Sequence, residues 1–74
     1  MDYIVSCNWI AESLDVSDLT VTFYLLKLQF ERTTKDDGFY VSLDVAEKLI
    51  KVICSDFAFN TDKHIDQLKT QYQD

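Results

Sequence analysis

Apolar positions recur along this chain at two periods, and the change of period marks out its elements. From Leu19 to Phe30 the sequence reads LTVTFYLLKLQF. At about 100° per residue it divides into two apolar stripes, Leu19, Phe23, Leu26 and Phe30 on one side and Val21, Tyr24, Leu25 and Leu28 on the other. Thr20 and Lys27 fall along one seam between them, Thr22 and Gln29 along the other. A helix of this kind needs apolar cover on two faces, so the stretch is either a central buried element or half of an interface. The same residues also carry a strand reading, because Leu19 to Phe23 alternates in β-favouring types. Adjacent Leu25 and Leu26 break that alternation, and one continuous strand would need a bulge.

The flanking pattern supplies the other elements. Tyr3 to Ser6 is a short β-favouring run, Asn8 is placed to cap a helix over Trp9–Leu14, and Ser17 followed by Asp18 offers a cap for the next helix. Thr33 to Gly38 (TTKDDG) is a turn, with the single glycine of the chain at its end. It joins two runs, 28–32 and 39–43, that read as an antiparallel hairpin. Asp44 with Glu47 opens an amphipathic helix over 44–54, with Val45, Ala46, Leu49, Ile50 and Ile53 on one arc and a Glu47–Lys51 pair opposite. Ser55 and Asp56 are expected to interrupt it, and Phe57 and Phe59 to anchor a connector. Asn60 or Thr61 then caps a final helix over 61–71, whose stripe is only Ile65, Leu68 and Tyr72, with fraying beyond Gln71. Together these predict a small α+β fold and one domain over 1–74.

Charge changes the picture more than length does. Seventy-four residues carry 13 acids against 7 bases, a net charge of −6. Such a surface repels phosphate backbones and suits a basic partner. Cys7 and Cys54 are too few for a disulfide scaffold, no apolar run is long enough for a signal peptide or a membrane span, and a cytoplasmic protein with reduced thiols is expected.

Ile10-Ala11-Glu12-Ser13-Leu14-Asp15-Val16-Ser17, followed by Val21 and Tyr24, resembles the helix-turn-helix pattern of winged-helix domains, which place an Ala in the first helix and apolar residues at matching offsets. The likeness covers residues 3–43 and makes Thr33–Gly38 the wing. It implies a recognition helix over the Leu19–Phe30 stretch and, by analogy, DNA binding as a dimer, with Lys27, Arg32 and Lys35 near phosphate. The residues themselves favour another use. Base reading takes Arg, Lys, Asn or Gln on the exposed face of the second helix, and from Met1 to Leu26 there is no Lys or Arg, while Glu12, Asp15 and Asp18 cluster there.

Catalytic chemistry finds no footing. His64 is the only histidine and lies far in sequence from Cys7 and ten positions from Cys54, so no thiol is given a base. Two cysteines and one histidine make no zinc spacing, Asp36-Asp37 lacks the alternating ligands of a calcium loop, and one glycine makes no phosphate loop. No cofactor or metal is expected. What remains is a binding surface: Glu12, Asp15, Asp18, Asp36 and Asp37, with Tyr24 and Leu28 as apolar anchors. These suit a small acidic regulator or inhibitor that docks on a basic, nucleic-acid-handling protein. A homodimer and a structural subunit of an assembly are the other readings.

Overall fold

A computed structural model describes residues 2–72. The chain runs β1 (Val5–Ser6), α1 (Cys7–Leu14), α2 (Asp18–Lys27), β2 (Thr33–Lys35), β3 (Gly38–Val41), α3 (Leu43–Phe57) and α4 (Thr61–Tyr72). The three strands form one antiparallel sheet in the order β1-β3-β2, with Val5 opposite Val41 and Thr34 opposite Phe39. The result is the expected α+β domain, a hairpin and sheet followed by two C-terminal helices, and in general terms its arrangement is winged-helix-like.

Caps set most of the boundaries. α1 begins at Cys7 rather than Trp9, because the Ser6 hydroxyl, not Asn8, accepts the orphan Asn8 amide at 3.1 Å. At its other end Asp15 takes φ 57°, Val16 N–H donates to the Ala11 carbonyl at 3.0 Å and Asp15 N–H to Glu12 at 3.2 Å. This paired bonding is the left-handed helix stop in which glycine is usual. Asp tolerates that conformation better than most residues, so the absence of a glycine does not prevent the sharp turn into α2. Ser17 then caps α2, its hydroxyl accepting from Thr20 N–H at 3.3 Å. Of the two readings of Leu19–Phe30, the helix is the one adopted, from Asp18 to Lys27.

Two expected strand limits are corrected. Residues 28–32 are not a strand. Leu28 and Gln29 close α2, with Gln29 at φ 57° and Phe30 N–H donating to the Leu25 carbonyl at 3.2 Å, so pairing begins only at Thr33. Lys35 faces Gly38 across the Asp36-Asp37 tip, and Gly38 absorbs a φ of 124°. β3 stops at Val41 instead of residue 43 because Ser42, not Asp44, caps α3; its hydroxyl accepts from Val45 N–H at 3.3 Å. α3 also runs past Ser55 and Asp56, which lie on its exposed side and leave the helix bonding intact, to end at Ala58 with φ 56°.

α4 is capped by Asn60, whose side-chain oxygen accepts from Lys63 N–H at 3.1 Å. It continues through Tyr72; the rest of the fraying expected beyond Gln71 lies outside the described residues. The Glu47–Lys51 pair does not form. Glu47 meets Lys69 of α4 at 4.0 Å, the one salt bridge among the described residues. At the centre, Val5, Ile10, Val21, Leu25, Val41, Ile50 and Ile53 are completely buried, drawing β1, α1, α2, β3 and α3 onto one core. Each such side chain contributes about 1.5–3 kcal/mol relative to exposure.

Candidate docking site

α2 is anchored through one of its two stripes. Val21, Tyr24 and Leu25 point inward, and the Tyr24 hydroxyl donates to Asp56 Oδ2 of α3 at 2.6 Å. That bond and the neighbouring carboxylate charge, with some desolvation, raise the Tyr24 phenol above its ordinary value. Tyr24, expected at the surface, is therefore part of the core and of the α2–α3 contact. Leu28, its expected companion, stands 41% exposed in the turn that ends α2.

The other stripe points outward. Leu19 is 80%, Phe23 58% and Leu26 46% exposed, one position after another along the same side of a helix anchored by its opposite face. Phe30, the fourth member, is drawn back onto the core. Lys27 stands 5.4 Å from the centre of the Phe23 ring, a cation–π contact that leaves the ring accessible on its remaining sides. Of the two apolar anchors read from the sequence, Tyr24 belongs to the stripe that turns inward and Leu28 stays exposed, while the outward stripe is the other one. The legible signal was Lys27 itself, four positions after Phe23, where a cation marks the outward side of a helix.

The acidic residues fall into two groups. Asp18, in the first turn of α2, and Asp37, at the hairpin tip, line one cleft with Cys7, Asn8, Thr22, Gly38 and Phe39. The fold thus brings together two carboxylates 19 positions apart in sequence, between the helix and the wing-like hairpin. Asp37 is held there, because the Tyr40 hydroxyl donates to its Oδ2 at 2.7 Å while Lys35 lies 4.3 Å over the Tyr40 ring. That hydrogen bond raises the Tyr40 phenol. Asp36 sits beside Asp37 at the exposed tip, and Glu12 and Asp15 are exposed on α1 and its turn. Neither Glu12 nor Asp15 lines the cleft.

The thiols are buried and unpaired. Burial, and then the nearby Asp18 charge, push the Cys7 thiol up to about 11, and burial raises Cys54 as well. Thiols in that state are weak nucleophiles at neutral pH. The His64 ring packs near Phe59 and sits 3.2 Å from the Gln67 side-chain oxygen. Among the described residues no three His, Cys, Asp or Glu side chains gather as a metal site, and no helix is long and apolar enough to cross a membrane. A second concavity lies between α1 and α4, lined by Trp9, Ser13, Asn60, Asp62, Lys63 and Asp66 among others. Compared with protein-family models, curated proteins and solved structures, the chain matches none.

Proposed function

We propose that this chain is a small, non-catalytic regulator or inhibitor that docks through its carboxylates on a basic surface of another, nucleic-acid-handling protein. The observation that carries the reading is the cleft shared by Asp18 and Asp37. In a winged-helix arrangement the second helix and the wing face nucleic acid, and between them this chain sets the carboxylates of Asp18 and Asp37. Carboxylates so placed repel DNA and offer a basic protein the anions it takes from a phosphate backbone. Glu12 and Asp15 extend the acid along the adjoining turn. The two buried, unpaired thiols fit a reducing, cytoplasmic setting.

A DNA-binding winged helix is the second reading, supported by one feature. The cations of the first 43 residues are Lys27, Arg32 and Lys35, all at the end of α2 or along the wing. The two readings separate in a paired experiment. Affinity capture with the wild-type chain and with an Asp18→Asn/Asp37→Asn variant is run at about 50 mM and about 500 mM salt, beside a DNA-retardation assay. Docking by carboxylates predicts a basic protein that is retained at low salt, released at high salt and lost with the variant, and no retardation of DNA. Retention of the partner by the variant, or DNA retardation that fades with salt, would sink it.

A further inference from the structure

The cleft between α2 and the hairpin holds more than two charges, and its other walls say which cation it takes; the inference rests on the acid docking proposed above. Its volume is about 320 Å³, at the low end of ligand sites, which run from about 300 to 1,000 Å³. That is room for one side chain, not for a folded segment. Asp18 and Asp37 line it from separate elements, with Asn8, Thr22 and Phe39 beside them. A cation entering there meets a carboxylate from each element. Asp37 is already oriented, since the Tyr40 hydroxyl donates to its Oδ2 at 2.7 Å, and Oδ1 is a second acceptor.

Two further observations bear on the occupant. Cys7 is 6% exposed and lines the same cleft, a thiol with neither a disulfide nor a hydrogen-bonding partner among the described residues. Burial and then the Asp18 charge raise that thiol, so the field of one carboxylate reaches the buried wall. Phe39 supplies an aromatic wall, and the chain's own Arg32 guanidinium lies 5.8 Å from the centre of its ring without lining the cleft. An ammonium is a strongly hydrated point charge, costly to strip of water beside a buried thiol and a ring. A guanidinium is weakly hydrated, stacks on aromatic faces and carries donors on more than one edge, enough for two carboxylates at once.

The neighbouring surface belongs to the same contact. Leu19 and Phe23, 80% and 58% exposed, follow Asp18 and Thr22 by one position each. The apolar stripe therefore runs about 100° round the helix from the side that lines the cleft. A free guanidinium compound would fill the cleft and leave that stripe bare. We infer that the cleft receives an arginine side chain of the partner protein, with Asp18 and Asp37 on its donors, Phe39 against its plane, and the apolar residues that flank that arginine laid on Leu19 and Phe23.

The test is titration of the isotope-labelled full chain, followed by its amide resonances at about 50 mM salt. The probes are acetyl-Leu-Arg-Leu amide, the same peptide with lysine in place of arginine, and acetyl-arginine amide. The arginine peptide is expected to move the Thr22 and Phe39 amides, with a Kd of about 1 mM. The lysine peptide binds at least about threefold more weakly, and so does the bare arginine amide, which lacks the flanking contact. Phe39→Leu removes the preference for arginine over lysine. Phe23→Ser, at an exposed position, removes the advantage of the flanked arginine and leaves the bare one unchanged. Asp18→Asn/Asp37→Asn loses all three probes, and the unmoved resonances of each variant report that it is folded. Equal affinity for arginine and lysine, both lost in the double variant, overturns the inference and leaves acid docking standing. Binding that survives the double variant overturns both. A bare arginine that binds as tightly as the flanked one overturns the protein source and gives the cleft to a free guanidinium ligand. No shift from any probe up to about 20 mM overturns the arginine site, while the salt-dependent capture of a basic protein decides the docking reading separately.

Discussion

The Tyr24 hydroxyl shows how one polar atom fixes the face that a helix presents. Val21 and Leu25 could bury themselves with α2 turned by some tens of degrees, but the 2.6 Å bond from Tyr24 to Asp56 ties that helix to α3 at one rotation. The outward direction of Phe23, the preceding residue, follows. The same bond makes the domain sensitive to alkali. Tyr24 is raised above its ordinary 10.0 by that hydrogen bond, and Cys7 is raised from 9.0 to about 11 by burial and Asp18. Both are acids that ionise more readily in the unfolded chain than in the folded one. Their contributions are fully present below 9.0 for Cys7 and 10.0 for Tyr24, and are lost as pH rises through the higher folded values. Urea unfolding between neutral pH and pH about 11 is expected to show stability falling on the alkaline side. Cys7→Ala should remove the part of the decline that begins first, and Tyr24→Phe the part that begins near the ordinary phenol value. An unchanged alkaline limb in both variants would disprove this assignment.

Elements in this chain end on strained residues. Asp15, Gln29 and Ala58 all take positive φ, at 57°, 57° and 56°, and each follows a helix whose last carbonyls they help to satisfy. Only Gly38 among the described residues takes positive φ without strain. Left-handed backbone costs an ordinary residue about 1–2 kcal/mol, part of which glycine returns through the unfolded chain. Ala58→Gly, at an exposed position, should therefore stabilise the domain by about 0.5–1 kcal/mol, read as an upward shift of the urea midpoint with an unchanged slope. These stops also explain how much of the fold was legible. Ser17, Asn60 and the Asp37-Gly38 tip carry their own signals, and the elements they bound fell near their expected places. The stop at Gln29 carries none, since glutamine is neither a turn former nor a breaker, and the strand expected over 28–32 was really the end of a helix. Ser42 was overlooked because Asp44 with Glu47 makes an equally good capping pattern two residues on. Asp18 and Asp37 were read separately as acids, but their meeting in one cleft depends on the hairpin register, which no local pattern encodes.

At the scale of the molecule, α4 matters more than its sparse stripe suggests. Its sequence offers Ile65, Leu68 and Tyr72, few enough to read as a peripheral helix. Leu68 is nevertheless 1% exposed and Ile65 8%, and Tyr72 sets its ring edge-on to Trp9 of α1 at 5.2 Å. α4 thus closes the core against α3 and reaches α1 through the Trp9–Tyr72 contact. A chain of this size has little to spare: about 0.05–0.15 kcal/mol per residue puts the total near 4–11 kcal/mol. Leu68→Ala removes a fully buried side chain and leaves a cavity, at a cost of about 2–5 kcal/mol. That is a large share of the whole, and since 1 kcal/mol moves the midpoint of a domain this small by about 4–8 °C, thermal unfolding should fall by roughly 10 °C or more. If α4 were only laid on the surface, the same change would shift the midpoint by no more than about 2–4 °C, about what an exposed substitution does. A differential scan of Leu68→Ala beside the exposed Lys69→Ala separates the two cases. The exposed variant loses only the 4.0 Å contact with Glu47, a surface pair worth less than about 1 kcal/mol. Near-equal midpoints for the two variants would mean that the core ends at α3.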